Sequence, residues 1–91
     1  MRHAAKRDAV EAAIVEALER CGMIVLRLSD PGIPDLLVGR HFYGNEPSWR
    51  LIEVKSPGKS LTPAQERLRE RAWFPVVETV EEALAVCGIK T

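Results

Sequence analysis

The chain has 91 residues, with 13 Lys and Arg against 13 Asp and Glu, a formal charge of zero, and 46% hydrophobic content. That length fits one domain, residues 1–91, with a modest core, and the ordinary apolar content argues against disorder. The charge balance argues against a protein that coats nucleic acid nonspecifically, although a local basic face is compatible with it.

No apolar run approaches membrane-spanning length, and no apolar core follows the basic N-terminus, so the expectation is a soluble cytoplasmic protein with no membrane partner. Cys21 and Cys87 lie far apart with no C-x-x-C pair. They read as small core residues in a reducing compartment, not as a zinc site or a disulfide.

Residues from about Ala4 to Cys21 read as an amphipathic helix ended by Gly22, with Val10, Ile14, Ala17, Leu18 and Cys21 as its apolar stripe. At 100° per residue, Glu11 falls within about 20° of Leu18, and Glu16 roughly 160° from Ile14. Glu11 is therefore the acid this helix can lend to a sheet. It reads equally well as a boundary residue whose stem packs while its carboxylate reaches water.

Met23 to Leu28 reads as a first strand, and Ser29-Asp30-Pro31-Gly32 as a turn. The stretch from Gly32 to Gly39 is a buried second strand opened by Asp35. Arg40 to Ser48, with Gly44-Asn45 and Pro47, is a polar loop, and His41 within it reads as solvated. Trp49 to Lys55 is the third strand, closing a long hairpin. Alternation along it puts Glu53 and Lys55 on one face, their Cα atoms about 6.6 Å apart, and Val54 on the other. The hairpin brings Asp35 beside them. The plainer alternative is that Asp35 caps a turn after Pro34 while Glu53 and Lys55 face solvent.

Thr62, Pro63 and Gln65 form an N-cap, a first helical residue and the far corner of a capping box. Gln65 also lies about 60° from Leu68, on the inner flank, so a place in the site is open to it beside the cap. This second helix runs to about Trp73, with Ala64, Leu68 and Ala72 inward and alternating Arg and Glu outward. Pro75-Val76-Val77 is a short fourth strand, and Thr79 to Glu82 a second capping box before a helix through Cys87. The order αβββαβα predicts an antiparallel meander with strand four parallel to strand three.

If Glu11, Asp35 and Glu53 meet, each pair of carboxylates ~4.5 Å apart repels by roughly 3.5–4 kcal/mol at an effective dielectric of 20. Such a cluster calls for a divalent cation or a retained proton. Without soft ligands the ion is a hard one, Mg²⁺ with Mn²⁺ as substitute, held by the carboxylates, the Val54 carbonyl and water. Lys55 beside it suits phosphodiester hydrolysis without a covalent intermediate.

Gly-Ile-Pro-Asp at 32–35, Glu-Val-Lys at 53–55 and Leu-Thr-Pro-Ala-Gln at 61–65 resemble the PD-(D/E)XK nucleases, most closely the VRR-NUC family. The resemblance spans roughly Glu11 to Val80. It implies a restriction-endonuclease-like α/β fold: an αβββαβ core with a mixed four-stranded sheet flanked by helices. It also implies a Mg²⁺-dependent endodeoxyribonuclease with Asp35 and Glu53 as metal-binding acids, Lys55 as catalytic lysine, Glu11 as the helix glutamate and Gln65 as the family's glutamine. Small stand-alone members resemble phage or bacterial enzymes that act as homodimers on branched DNA, four-way (Holliday) junctions included. The implied compartment is the cytoplasm of a bacterium or a phage-infected cell. Lys59, Arg67 and Arg71 are the expected DNA contacts. Phe42, Tyr43, Trp49, Trp73 and Phe74 are the aromatics available to an interface. Two other readings stay open: a catalytically silent DNA-binding or accessory subunit, and a nonspecific nuclease.

Overall fold

Helix α1 spans Ala5–Arg20 and buries Ile14 and Leu18 completely. A computed structural model describes residues 5–40 and 48–89 of the chain, with side chains described from residue 9 onward. The expected polar loop, with His41, Phe42 and Tyr43, and the expected helix start at Ala4 lie outside the described residues.

α1 ends in a pair of hydrogen bonds that fix its exit. The Met23 amide donates to the Leu18 carbonyl at 3.0 Å and the Gly22 amide to the Glu19 carbonyl at 3.0 Å. Gly22 has φ +84°, which a glycine accepts without a Cβ penalty. The turn carries Met23 into the core and leaves Cys21 exposed. Cys21 is thus not the core residue expected of it. The helix stops one residue before its stripe would have buried it.

Strands β1 (Ile24–Arg27), β2 (Leu36–Arg40) and β3 (Ser48–Val54) form an antiparallel meander, and β4 (Val76–Val77) pairs parallel with β3 in the order β1-β2-β3-β4. The chain is therefore an α/β protein with a mixed four-stranded sheet, as expected. Leu36 pairs with Ile52, and Val38 with Arg50. Leu36, Val38, Ile52 and Val54 share one face by alternation. They pack there with Ile14 and Leu18 of α1, and with Ala83 and Leu84 of the last helix, α3 (Val80–Val86). Each fully buried Leu or Ile in this layer contributes about 1.5–3 kcal/mol.

The opposite face carries Leu26 and Trp49, both exposed. Gly39 and Trp49 are cross-strand partners. A Cβ at Gly39 would fall 2.6 Å from the indole, so the six-membered ring rests on backbone that only glycine leaves bare.

Helix α2 spans Pro63–Arg71. Its capping box is complete. The Gln65 amide donates to Thr62 Oγ1 at 3.2 Å, and the Thr62 amide to Gln65 Oε1 at 3.0 Å. Its packing differs from the expected face. Gln65 is the buried residue, Leu68 is half-buried, and Ala64 and Ala72 are exposed. Near its end the Arg69 Nε donates to the Phe74 carbonyl at 2.8 Å, with the guanidinium 5.0 Å from the Trp73 ring centre.

The second capping box is shifted. Thr79 Oγ1 accepts the Glu82 amide at 3.1 Å, but Glu82 Oε1 accepts the Glu78 amide, at 2.6 Å, instead of that of Thr79. Among the described residues no helix is long and apolar enough to cross a membrane.

Candidate active site

β3 changes partners along its length. Ser48 to Ile52 pair with β2, whereas Glu53 and Val54 pair with Val76 and Val77 of β4. The Glu53 amide donates to the Pro75 carbonyl at 3.0 Å and the Lys55 amide to the Val77 carbonyl at 2.9 Å. The Val54 amide therefore points the other way, toward β2, whose regular register has just ended at Leu36. Asp35 fills that gap, and its Oδ2 accepts the Val54 amide at 3.0 Å. Amide and carbonyl of one strand residue face the same side, so the Val54 carbonyl opens into the same notch.

Glu53 has no exposed surface. Lys55 Nζ lies 3.2 Å from its Oε2, and the lysine side chain is 13% exposed. The contact is an ion pair without hydrogen-bond alignment. At an effective dielectric of 20 this attraction is roughly 5 kcal/mol, offset by the desolvation of both ions. A buried acid and its ammonium thus stand one residue either side of the amide that Asp35 binds.

The two helices approach this end from opposite layers. A Cβ on Gly32, in the turn before Asp35, would lie 3.8 Å from the Ala64 Cβ, so the first turn of α2 rests on that turn. Gln65 is buried next to it, its carboxamide oxygen bound to the Thr62 amide. On the other side Glu11 is only 16% exposed, with Oε2 3.7 Å from Arg27 Nε. Arg27 pairs with Leu36, so Glu11 reaches the same end of the sheet as Asp35, in the layer of α1. Glu16 is exposed and pairs with exposed Arg20.

No protein-family model matches the chain, and no curated protein matches it. A solved structure described as a VRR_NUC domain superposes with a TM-score of 0.65 at 27% identity, over 91% of this chain and 95% of that one. The chain shares the fold of that VRR_NUC domain.

The candidate ligand groups at this end of β3 are all oxygens: the Asp35 and Glu53 carboxylates and the Val54 carbonyl. That set fits a hard divalent cation completed by water or phosphate oxygens. Among the described residues no three of His, Cys, Asp and Glu are gathered closely enough to hold a metal ion. The three-acid cage expected from the sequence is therefore not assembled. Glu11 instead lies in ion-pair range of Arg27.

The expected DNA contacts separate by position. Lys59 is exposed in the turn between β3 and α2, where its amide donates to the Ser56 carbonyl at 3.1 Å. Arg67 and Arg71 line a groove on α2 together with Glu70, a carboxylate that offsets their charge. Sequence reasoning missed two features of this chain. One is Arg69, which locks α2 to the start of β4. The other is a pair of arginines at the far end of the sheet, Arg40 and Arg50. No local pattern flags them, because what joins them is cross-strand register.

Proposed function

We propose that the protein is a Mg²⁺-dependent endonuclease that hydrolyses phosphodiester bonds in DNA. The likeness to a VRR_NUC domain supports the nuclease class. The observation that carries the reading is the fork between β2 and β3, where Asp35 binds the Val54 amide beside the buried Glu53–Lys55 pair. A buried carboxylate and ammonium are costly to hold for stability alone, and an apolar pair of similar volume serves a fold as well or better.

Asp35, Glu53 and the Val54 carbonyl hold the cation in this reading, with Mn²⁺ as substitute. When bound, the ion polarises a phosphate oxygen and makes a bound water more acidic. Lys55 orients the attacking water and neutralises charge that develops on the phosphate. Glu53 keeps the ammonium positioned. Asp35 stays fixed by the Val54 amide, so its carboxylate is held in place without reorganisation. Glu11 adds negative charge from the α1 layer once it leaves Arg27. Gln65 holds the start of α2 over the Asp35 turn, and Lys59 meets a flanking phosphate.

Branched DNA is the proposed substrate and a homodimer the proposed form. Resolving a four-way junction takes two symmetric cuts, and a two-fold assembly supplies two sites. Exposed Trp49 and Trp73 are aromatic surface of the kind that interfaces cover, whereas Phe74 is buried in the monomer. Phe42 and Tyr43 lie outside the described residues.

The test is cleavage of linear, flap and four-way DNA by purified protein, in Mg²⁺, Mn²⁺ or EDTA, beside a sedimentation-equilibrium mass. Metal-dependent cuts concentrated at the branch by a dimer are expected. No cleavage of any substrate in either metal would overturn the nuclease. A monomer both free and on the junction would leave a single-strand nickase.

A further inference from the structure

β4 is two residues long and pairs with β3 at Glu53 and Val54. It accepts hydrogen bonds from the two residues whose side chains form the buried ion pair. The Glu53 amide donates to the Pro75 carbonyl at 3.0 Å, just ahead of β4, and the Lys55 amide to the Val77 carbonyl at 2.9 Å. Where β4 sits therefore decides where the backbone of Glu53 and Lys55 sits. A strand this short is held by few rungs of its own, so its place depends on what fixes its start.

Arg69 supplies that anchor. Its Nε donates to the Phe74 carbonyl at 2.8 Å, one residue before Pro75. Its guanidinium lies 5.0 Å from the Trp73 ring centre and 5.9 Å from that of Phe74, which has no exposed surface. A charge-assisted bond and two aromatic rings thus hold one group. Arg67 and Arg71 of the same helix are exposed, whereas Arg69 is half-buried. The start of α2 meets the other side of the fork. A Cβ on Gly32, three residues before Asp35, would lie 3.8 Å from the Ala64 Cβ. The helix therefore runs from the turn that carries Asp35 toward the entry of the strand that holds Glu53 and Lys55.

We propose that Arg69 is a positioning residue for the reaction: by tying the start of β4 to α2, it sets where Glu53 and Lys55 stand relative to Asp35. The proposal rests on the nuclease reading for the reaction it serves. Arg69 acts through the backbone, from the Phe74 carbonyl to the adjoining Pro75 carbonyl and on to the Glu53 amide. It touches neither substrate nor cation. A reacting group misplaced by about 1 Å can cost about 10²-fold in rate. Loss of the clamp therefore falls on the chemical step and not on DNA affinity.

The test uses Arg69→Met, which keeps a long side chain and removes the donor and the charge, in two measurements. The first is amide hydrogen exchange by NMR, without metal or DNA. The Glu53 and Lys55 amides should exchange about tenfold faster than in wild type, and the Val54 amide, bound to Asp35, by less than about twofold. The second is single-turnover cleavage of a four-way junction at saturating protein and Mg²⁺, at a temperature where the variant is folded. Its rate should fall by about tenfold to a hundredfold, with junction affinity in EDTA unchanged. Arg69→Lys, which retains a cation and a donor, should recover much of both losses. If Arg69→Met fails to fold, Trp73→Ala decides, because Trp73 is exposed and its removal unseats the guanidinium; the same two amides should quicken. Wild-type exchange at Glu53 and Lys55 would overturn the proposal. Equal acceleration at all three amides would make Arg69 a general stabiliser of the fold and overturn it too. Weaker junction binding at an unchanged single-turnover rate would make Arg69 a phosphate contact instead. Selective exchange in a protein that cuts nothing would sink the nuclease reading and keep the clamp. Cleavage that Arg69→Met leaves unchanged would do the reverse.

Discussion

Asp35 Oδ2 accepts the Val54 amide at 3.0 Å, in the position where the next backbone rung between β2 and β3 would fall. One side chain thus ends a ladder and opens a notch at the same point. In the proposed reaction that carboxylate serves both the fold, through the Val54 amide, and the chemistry.

Asp35→Asn should separate them. The amide oxygen can still accept from Val54, so stability should change by less than about 1 kcal/mol while cleavage is lost. Asp35→Ala leaves the Val54 amide with no acceptor, at a cost of about 1–3 kcal/mol. Urea melts and cleavage assays on both variants give the answer. Wild-type cleavage by Asp35→Asn would remove Asp35 from the reaction.

The Glu53–Lys55 pair is buried enough to be measured as a unit. Lys55→Met removes the ammonium beside a carboxylate with no exposed surface and should cost about 3 kcal/mol. Adding Glu53→Gln should recover most of that loss, because no buried charge then remains unmatched. All three variants should be inactive. If the double variant is as unstable as the sum of the singles, the pair is not coupled.

Glu11 and Glu16 share a helix but not an environment. Glu11 is 16% exposed beside Arg27, whereas Glu16 is 68% exposed beside Arg20. Glu11→Gln should raise the Mg²⁺ needed for half-maximal cleavage by roughly tenfold, in the range of lost outer partners. Glu16→Gln should alter neither cleavage nor stability by more than about 0.5 kcal/mol. Equal effects across a Mg²⁺ titration would remove Glu11 from the site.

The cysteines should react in sequence. Cys21 is exposed, while burial raises the Cys87 thiol and leaves less thiolate at pH 8. A disulfide reagent at pH 8 should modify Cys21 promptly and Cys87 much more slowly, by mass spectrometry. As pH climbs through the raised value, Cys87 should become reactive. Equal rates at pH 8 would contradict its burial.

Lys59 stands exposed on the turn that leaves β3, free of the carboxylate that accompanies Arg67 and Arg71 in their groove. Lys59→Ala should weaken DNA binding and reduce the salt slope by about one. Arg67→Ala should change the slope less. A larger effect at Arg67, by anisotropy, would move the footprint onto α2.

Most of the architecture was legible because the elements are local. Gly22 closes α1, Thr62 and Gln65 cap α2, and the hairpin sets Asp35 beside Glu53. Helical phase placed Glu11 on the buried flank and Glu16 outside it. Errors arose where tertiary geometry overrides periodicity. Cys21 continues the stripe of α1, yet the chain turns out of the helix just before it. Ala64 and Ala72 have inward phase, but both are exposed, and Gln65 is the residue that α2 buries. The position of Arg40 against Cys87 spans 47 residues of chain, and nothing local announces it.

Trp49 lies on Gly39 at the join of β2 and β3, and Trp73 lies under Arg69 beyond α2. The two indoles therefore give the protein separate optical probes without labelling. Emission from a Trp73→Phe variant would follow any sliding between the strands that carry Asp35 and Glu53. Emission from a Trp49→Phe variant would follow the helix that covers them. Comparing the two as substrate arrives would tell whether the fork itself shifts or only its cover.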